Sequence, residues 1–552
     1  PERTKKIIPI LFFLLTGALF FSGMILRGEV FLTADGLNGM LPWSAVSEGD
    51  GGAANGLMMD SVQTFYPAYS FASRWLHRGE VPLWNPHIMC GVPFAASGLP
   101  GMFYPLKAPF FIAGNPEAAF GWCAFIHVVL AGLFGFCLLR VFGAGMQAAV
   151  LGGLVFTFNG WLAAWMMLPG FLHAAVWLPL MVCLFEMAAR NRGVRAAALS
   201  ALCGIAGAMP FLAGQPQVAA YAHLFLAAFA VYRTAGLPGR RVSVAALWLM
   251  SAAVAGAAAA VQILPTIELM QHGQREVAAS ASRLMHSPLD LKHLVTLFLP
   301  DFYGNPVNET YWGDTNYTAL CCYCGVLPLA LAVGAVANKK RNPHTWFFAV
   351  AAVVFLLFAL GTPLNAVLYF APGLNRLSPV RMLYLFTFCL SMLAGLGWDS
   401  FEKSAGAPVR WKLRAWGPYA ALFLVFAAAA FVSHDIDFSK LLRFESAGVL
   451  KWLALAATGF AAALSFRAVP RIRWLLVIIV VFADLALWAK WYNPTVPRRH
   501  LFPPVPSMEF LGKDENLFRV HGASAAWVLP PNTAMHYGLF DVRGIESLYP
   551  SR

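Results

Sequence analysis

The sequence predicts an all-α polytopic membrane protein built from about thirteen transmembrane helices. Hydrophobic residues make up 59% of the 552 residues and charged residues only 12%, a balance that soluble globular domains do not show. Long apolar segments alternate with short loops, and a Lys- or Arg-containing loop follows every second segment. Because a bilayer offers no water to backbone polar groups, such segments must span as helices.

The predicted spans are apolar stretches of sixteen or more residues bounded by charged, Gly-rich or Pro-rich segments. In order they are Ile7–Leu26, Ala118–Leu139, Met146–Met167, Leu172–Ala189, Ala196–Leu212, Gln217–Tyr232, Val242–Leu264, Thr318–Ala337, Thr345–Leu360, Met382–Trp398, two spans that bracket a turn at His434–Glu445, and Trp474–Trp491.

The charge pattern orients the chain. Loops rich in Lys and Arg stay on the cytoplasmic side of a membrane, which predicts a cytoplasmic N-terminus and an extracytoplasmic C-terminus. It also explains the net charge of +13 without a nucleic-acid partner. The predicted organisation is a transmembrane domain at 1–491, with outer loops at 27–117 and 265–316. Residues 492–552 are predicted to begin an extracytoplasmic domain that continues beyond Arg552.

The first outer loop is the main departure from a simple helical hairpin. Its length exceeds an ordinary connection many times over, and its Trp, Phe and Pro content argues against disorder. Aromatic residues recur at helical spacing in Ser61–Leu76, which predicts a helix in the membrane interface. Asp60 stands just before it. Asp60 is either the N-cap of that helix or a desolvated carboxylate that acts as a base or holds a cation.

Three basic residues on the predicted outer side are candidates for binding an anion. Lys107 either extends to lipid headgroups or binds a lipid phosphate. Arg376 and Arg381, in NRLSPVRML, oppose the orientation rule. Lipid headgroups, a nearby carboxylate or a phosphorylated substrate would each compensate their charge.

Further polar residues are candidates for the same site. Asp35 lies in a Gly-rich stretch that favours a solvated turn. Polar groups inside spans mark either cavities or helix–helix hydrogen bonds. The outer-loop candidates are Glu268, Asp301 and Asp314, and the span candidates are His173, Gln215 and Tyr221.

Motifs for cofactors are missing from the sequence. Cys321 and Cys324 have the CxxC spacing, but no second pair or His cluster completes a metal site. There is no Walker motif or GxGxxG element. The sequence therefore requires no cofactor, and a divalent metal stays open.

Several short motifs, in this order, resemble the YfhO family of bacterial membrane proteins. They are MMDSVQTFYPAY, PLWNPHIMCGVPF, FTFNGWLAAWM, LHAAVWLPL, GQPQVAAY, LFLPDFYG and LSPVRMLYLF. One span followed by a long outer loop with an acidic residue ahead of helices is similar to the GT-C superfamily of membrane glycosyltransferases. The resemblance implies a GT-C-like helical bundle in the bacterial cytoplasmic membrane.

The resemblance also implies an activity. Members of the family are expected to move a sugar from a polyprenyl-phosphate donor to a cell-envelope acceptor, and direct attack by the acceptor inverts the anomeric centre. Asp60 would be the general base, and Arg376, Arg381 and Lys107 would bind the donor phosphate. Two other classes remain open: a transporter or flippase of a lipid-linked glycan, suggested by the many spans and the polar break at Gln215–His223, and an assembly factor without catalysis.

Overall fold

The structure is a computed structural model dominated by helices. It describes residues 2–47, 52–273, 289–338, 342–370, 375, 377–403, 417, 421, 424–425, 470–523, 528–546 and 548–549. In this part of the chain the α-helices are α1 (Glu2–Phe20), α2 (Ser22–Arg27), α3 (Tyr66–His77), α4 (Phe94–Ser97), α5 (Ala108–Ile112), α6 (Pro116–Val141), α7 (Met146–Phe158), α8 (Gly160–Ala164), α9 (Pro169–Ala175), α10 (Leu178–Arg190), α11 (Gly193–Leu212), α12 (Pro216–Gly236), α13 (Arg241–Ala258), α14 (Ala260–His272), α15 (Tyr317–Leu320), α16 (Val326–Ala337), α17 (Thr345–Ala359), α18 (Ala366–Phe370), α19 (Leu383–Lys403), α20 (Pro470–Tyr492) and α21 (Pro506–Gly512). Two short strands, β1 (Trp84–Asn85) and β2 (Val92–Pro93), pair antiparallel.

Helices suited to a membrane account for most of the predicted spans. Among the described residues, eight helical units are long and apolar enough to cross a bilayer, and three shorter apolar helices lie at Ile7–Phe20, Val326–Ala337 and Thr345–Ala359. These units match the first ten predicted spans and the last one. The two spans predicted around His434–Glu445 lie outside the described residues, so the total of about thirteen stays a prediction.

Small residues let the central helices approach closely. A Cβ atom on Gly153 of α7 would lie 2.5 Å from the carbonyl oxygen of Gly132 on α6. A Cβ on Gly395 of α19 would lie 2.8 Å from the carbonyl oxygen of Ala148. Only glycine fits at these crossings, which is the usual way in which transmembrane helices pack backbone against backbone.

Several predicted spans differ from the helices observed, and the first divides at Phe21 between α1 and α2. The third is interrupted at Asn159, whose Oδ1 accepts a hydrogen bond from Leu162 N at 3.1 Å and so starts a new helix. The fourth breaks between α9 and α10. The eighth is helical only at its two ends, because Gly325 takes φ +90° between α15 and α16. The seventh divides at Ala259 into α13 and α14, and α14 runs past Pro265 to His272.

One end of the bundle carries a layer of loops and short helices that we call the cap, formed by residues 28–47, 52–115, 289–316, 493–523 and 528–546. Its first and last parts fold together: Val30 and Val496 form a backbone bridge. The Arg74 guanidinium donates hydrogen bonds of 2.7 and 2.6 Å to the carbonyl oxygens of His536 and Met535.

The predicted interfacial helix is part of the cap rather than of the lipid boundary. Ser61–Phe65 form a turn of π-helix that continues into α3, so the helix itself is confirmed. Its placement is wrong, because all residues from Tyr66 to Ser73 are buried. Helix α3 packs against α5, α6 and the turn at Thr533–Tyr537, and its aromatic residues Tyr66, Tyr69 and Phe71 are buried in protein.

The opposite end of the bundle is closed by ion pairs. The buried Glu186 carboxylate lies 2.6 Å from Arg190 Nε and 2.7 Å from Arg233 Nε, and 3.8 Å from His344 Nε2. These residues come from the ends of α10 and α12 and the start of α17. A carboxylate shared by two guanidinium groups ties three helix ends together, which offsets the cost of burying it.

Candidate active site

Asp60 lies at the surface of the cap. Its carboxylate forms no hydrogen bond within the described part of the chain. Asp60 begins the π-helical turn with helical backbone angles, and its side chain makes no capping hydrogen bond. The N-cap alternative is therefore wrong. The residue has exposed surface, yet the surrounding protein desolvates the carboxyl group enough to raise its pKa above the usual aspartate value. Single π-helical turns are frequent at functional sites.

The turn that carries Asp60 is held from two directions. The Thr33 hydroxyl donates to the carbonyl oxygen of Met58 at 3.0 Å and lies 2.9 Å from the Ser61 hydroxyl. Asn55 Nδ2 donates to the carbonyl oxygen of Tyr492 at 2.8 Å. The residues flanking Asp60 are thus fixed while its own carboxylate stays unbound, which is how a preorganised catalytic group is built.

Asp35 braces the same turn. Its Oδ2 accepts from Ala54 N at 2.6 Å and its Oδ1 from Gly36 N at 3.1 Å. Partial burial raises the pKa of Asp35 despite these bonds. The predicted solvated turn is wrong, because Asp35 links two parts of the first loop by bonding backbone amides.

Arg381 lies on an aromatic turn at the same end of the bundle. Its guanidinium stands 5.1 Å from the ring centroids of both Trp165 and Phe171, and it hydrogen-bonds to Gln217 Oε1. Both rings belong to the connection between α8 and α10. An arginine stacked on aromatic rings keeps its planar fork oriented. Arg376, the other predicted arginine, lies outside the described residues.

Two adjacent residues at the end of α20 bring the Asp60 turn and the aromatic turn together. Tyr492 accepts from Asn55, five residues before Asp60. Asn493 Nδ2 donates to the carbonyl oxygen of Ala163, two residues before Trp165, at 2.8 Å. Asn55 and Ala163 are therefore both tethered to the end of α20.

Lys107 is buried rather than extended to lipid headgroups, so the predicted snorkelling is wrong. Its side chain is 0% exposed. Nζ donates to the carbonyl oxygen of Pro100 at 2.7 Å and lies 4.9 Å from the ring centroid of Tyr69 and 5.9 Å from that of Tyr104. Because burial penalises the charged form, it lowers the pKa of Lys107 from 10.5 to about 7.

The surroundings of Lys107 include buried polar atoms without partners. The Tyr69 hydroxyl and both ring nitrogens of His173 are buried and form no hydrogen bond within the described part of the chain. His127 stacks on His173 at 4.0 Å between centroids and lies 2.5 Å from the Tyr104 hydroxyl. Lys107, Tyr69, Tyr104, His127 and His173 are called the Lys107 cluster below. Unpaired buried groups of this kind are costly unless water or a ligand meets them.

A close contact between two backbone segments lies between the Lys107 cluster and Arg381. Gly214 takes φ +86°, and a Cβ there would lie 2.0 Å from the carbonyl oxygen of Gly98. Pro100, which binds Lys107, is in the same short loop as Gly98. Gln217, which binds Arg381, follows Gly214 by three residues. The two cations therefore flank one glycine contact between the first loop and the start of α12.

The remaining acidic candidates serve structural roles or stand apart. Asp301 Oδ1 accepts from Tyr317 at 2.9 Å and from Trp488 Nε1 at 3.1 Å. Asp314 pairs with Lys292 and His293, each at 2.8 Å, and these two bonds hold its pKa below the usual value although burial acts the other way. Glu268 is an exposed residue on α14.

The polar residues predicted near α12 mostly form an internal network. Gln217 Nε2 donates to the Tyr221 hydroxyl at 2.7 Å, which donates to the carbonyl oxygen of Ser378 at 2.6 Å. Gln215 is half-buried at the start of that helix. Of the two alternatives for Tyr221, the helix–helix hydrogen bond is therefore the one observed.

Several residues of this region carry no sequence signal of function. Tyr69, Tyr104, Trp165 and His127 are aromatic residues in aromatic or apolar stretches, where core packing is the default. Only three-dimensional contact assigns them to Lys107 or Arg381. Within the described residues, no group of three or more His, Cys, Asp and Glu is arranged to hold a metal ion, and Cys321, Cys322 and Cys324 are buried free thiols.

Comparisons with known proteins give distant structural likenesses only. No protein-family model and no curated protein matches the chain. ArnT from Cupriavidus metallidurans, solved bound to undecaprenyl phosphate, is 12% identical, with 87% of this chain and 82% of that chain covered and a TM-score of 0.47. The archaeal oligosaccharyltransferase AglB from Archaeoglobus fulgidus, in complex with an inhibitory peptide and a dolichol-phosphate, is 13% identical, with coverages of 97% and 64% and a TM-score of 0.41.

The arabinofuranosyltransferase AftD from Mycobacteria is 11% identical, with 71% of this chain covered and a TM-score of 0.39, and the chain spans 28% of its length. TM-scores below 0.5 do not establish a shared fold.

Proposed function

We propose that this chain is a GT-C-type membrane glycosyltransferase, related to the YfhO family, that moves a sugar from a polyprenyl-phosphate donor to a cell-envelope acceptor. The reaction would take place at the outer side of the bacterial cytoplasmic membrane. The observation that carries the proposal is the free, desolvated carboxylate of Asp60 at the end of the bundle that also holds Arg381 and Lys107.

In the proposed reaction Asp60 is the general base. Its carboxylate takes the proton of the acceptor hydroxyl, and the acceptor oxygen forms a bond to the anomeric carbon. The bond from that carbon to the donor phosphate oxygen breaks, and the polyprenyl phosphate leaves with the electron pair. Attack opposite the leaving group inverts the anomeric centre. A raised carboxyl pKa suits a base because it increases the affinity for the proton.

The leaving phosphate needs positive charge where its negative charge develops. Arg381 offers a guanidinium held flat on Trp165 and Phe171, and Lys107 offers an ammonium with a single carbonyl acceptor. The unpaired Tyr69 hydroxyl and His173 ring add hydrogen-bonding capacity beside Lys107. A phosphate oxygen entering the Lys107 cluster would pair these groups. Arg376 stays a candidate for the same role.

A transporter or flippase of a lipid-linked glycan is the second candidate. Polar residues inside the spans suggest this function. The polar residues Gln217 and Tyr221, however, form hydrogen bonds to each other and to a neighbouring segment. The buried Glu186 is held by Arg190 and Arg233 at the end of the bundle opposite the cap. These contacts favour helix packing over a polar path through the membrane, and so favour the transferase.

The test uses purified protein in nanodiscs, a polyprenyl-phosphate sugar with a radiolabelled sugar, and an envelope extract as acceptor. The proposal expects label to pass to the extract with wild-type protein and with Asp514→Asn, a control carboxylate exposed in the cap, but not with Asp60→Asn. Label that moves between leaflets of proteoliposomes without transfer would overturn the proposal in favour of the flippase.

A further inference from the structure

A second feature of the cap lies apart from the residues to which the proposed reaction assigns roles. An open groove of about 750 Å³ lies between residues 41–46 of the first loop, helix α21 with the preceding Val505, and residues 518–523 and 528–529. Aliphatic and aromatic side chains form nearly all of its lining. The apolar lining residues are Leu41, Pro42, Ala45, Val46, Val505, Pro506, Met508, Leu511, Phe518, Val520, Ala523, Val528 and Leu529. A volume of this size is typical of a small-molecule site.

Arg519 gives the rim of the groove one positively charged side chain. Arg519 and His521 line it, together with Ser507, and no Asp or Glu is among its described lining residues. Both Arg519 and His521 are exposed. Exposed apolar side chains in the wall, Leu41 at 48% and Val46 at 43%, cost free energy in water. An apolar floor with a basic rim is complementary to a molecule that has a hydrocarbon part and an acidic head.

Backbone pairing around the groove argues against an extended peptide as the occupant. Val520 N donates to the carbonyl oxygen of Phe540 at 2.7 Å, and Val542 N donates to that of Val520 at 3.3 Å. Leu529 N donates to the carbonyl oxygen of Leu41 at 2.7 Å. A peptide that adds a strand needs backbone groups to bond with, and these are already bonded. A hydrocarbon chain needs none.

The groove also adjoins the Asp60 turn. Gln63, three residues after Asp60, donates from Nε2 to the sulfur of Met40 at 3.3 Å. Met40 is buried and directly precedes Leu41, whose side chain faces the groove. One wall of the groove therefore rests on the segment that positions Asp60.

We propose that this groove binds the hydrocarbon chain of an anionic amphiphile, with its acidic head at Arg519 and His521. The proposal goes beyond the transferase function and does not depend on it, because binding is measured without a sugar donor. If the transferase proposal also holds, the wall shared with the Asp60 turn makes this amphiphile a candidate for the acceptor side of the reaction.

The test is photolabelling of the full chain in nanodiscs with a diazirine derivative of palmitic acid, followed by mass spectrometry of the labelled peptides. Ala45→Trp fills the groove from an exposed lining position and leaves the buried core unchanged. Leu517→Trp is the matched control, since Leu517 is exposed in the cap but does not line the groove.

We expect label on the peptides that contain Met508, Leu511 or Leu41, a loss of about tenfold in Ala45→Trp, and no loss in Leu517→Trp. Arg519→Ala should weaken labelling by about two- to fivefold, because an exposed ion pair contributes little. The diazirine derivative of palmityl alcohol should label to about the level seen with the acid in Arg519→Ala.

Three results would overturn the proposal. The first is label on the groove peptides no stronger than on the membrane-spanning peptides, or equal label on the groove peptides in Ala45→Trp and wild type. The second is equal labelling of wild-type protein by the acid and the alcohol, which would show that the groove does not select an anionic head group. The third is a dimer, detected by light scattering, that Ala45→Trp converts to a monomer, which would make the groove a contact between two copies. Circular dichroism and thermal melting of each variant establish that it is folded.

Discussion

Lys107 gives the sharpest quantitative prediction, because its charge should depend on whether an anion is bound. The side chain is fully buried, and its pKa is lowered from 10.5 to about 7. At 1.36 kcal/mol per pKa unit, the folded protein disfavours the ammonium by on the order of 5 kcal/mol. A donor phosphate placed beside Nζ would offset part of this cost. Binding of the donor would therefore be coupled to protonation of Lys107.

The perturbation is Lys107→Met, which keeps the length of the side chain and removes the amine. The donor is a phosphodiester, so its own charge stays constant between pH 5.5 and 9. We expect wild-type donor affinity to be flat below pH 7 and to weaken up to about tenfold per pH unit above it, because binding takes up one proton. Donor affinity of Lys107→Met should be weaker at pH 6 and independent of pH.

Stability gives an independent readout of the same group. Between pH 7 and pH 10.5 the unfolded chain holds the Lys107 proton and the folded chain does not, so the free energy of unfolding rises with pH in this window. Below pH 7 the penalty is present in full. Melting temperatures of donor-free wild type should therefore increase relative to Lys107→Met as pH rises from 7 to 10. A wild-type donor affinity that is flat from pH 6 to 9 would refute the placement of the phosphate at Lys107.

Three further predictions concern Arg381, the cap and the orientation of the chain. Arg381→Ala should weaken donor binding by about tenfold or more, and Arg381→Lys should restore it only in part. The control Arg499→Ala, at an exposed cap position, should leave donor binding unchanged, and equal donor affinities of all four proteins in titrations would remove Arg381 from the site. Arg74→Met removes both hydrogen bonds to the last part of the cap, so limited proteolysis should cut residues 493–546 faster than in wild type, and an unchanged rate would contradict that tether. In a cysteine-free background, a thiol reagent that cannot cross membranes should label Ser507→Cys in intact cells but not Arg192→Cys, and the reverse pattern would overturn the orientation.

Hydropathy was a good guide to the helices because the bilayer imposes the same requirement on every span. It could not reveal where spans break. Asn159 caps a second helix inside the third span, and Gly325 interrupts the eighth; both depend on contacts with distant segments, such as the bond from Gly160 N to the carbonyl oxygen of Tyr323. Local composition carries no record of those partners.

For the candidate site, too, the sequence indicates some residues and only the structure reveals their contacts. The sequence identifies Asp60 as a candidate because it is a lone carboxylate ahead of a helical pattern. Only the structure shows that its side chain does not cap the helix. For Lys107 the sequence leaves two alternatives open, binding of a lipid phosphate or extension to the lipid surface, which is common for lysines near a membrane. Its burial follows from the meeting of α3, the Pro100 loop and α6, which are far apart in sequence. Tertiary contact, rather than residue type, decides such positions.

The proposed function rests most directly on Asp60, and the decisive measurement is single-turnover sugar transfer by Asp60→Asn, compared with wild type at saturating donor. Asparagine keeps the shape of the side chain and loses its basicity, so we predict a rate about a hundredfold to ten-thousandfold lower, with donor affinity and melting temperature unchanged. A near-normal transfer rate by Asp60→Asn would contradict the assignment of Asp60 as the base and, with it, the account of how this end of the bundle carries out transfer.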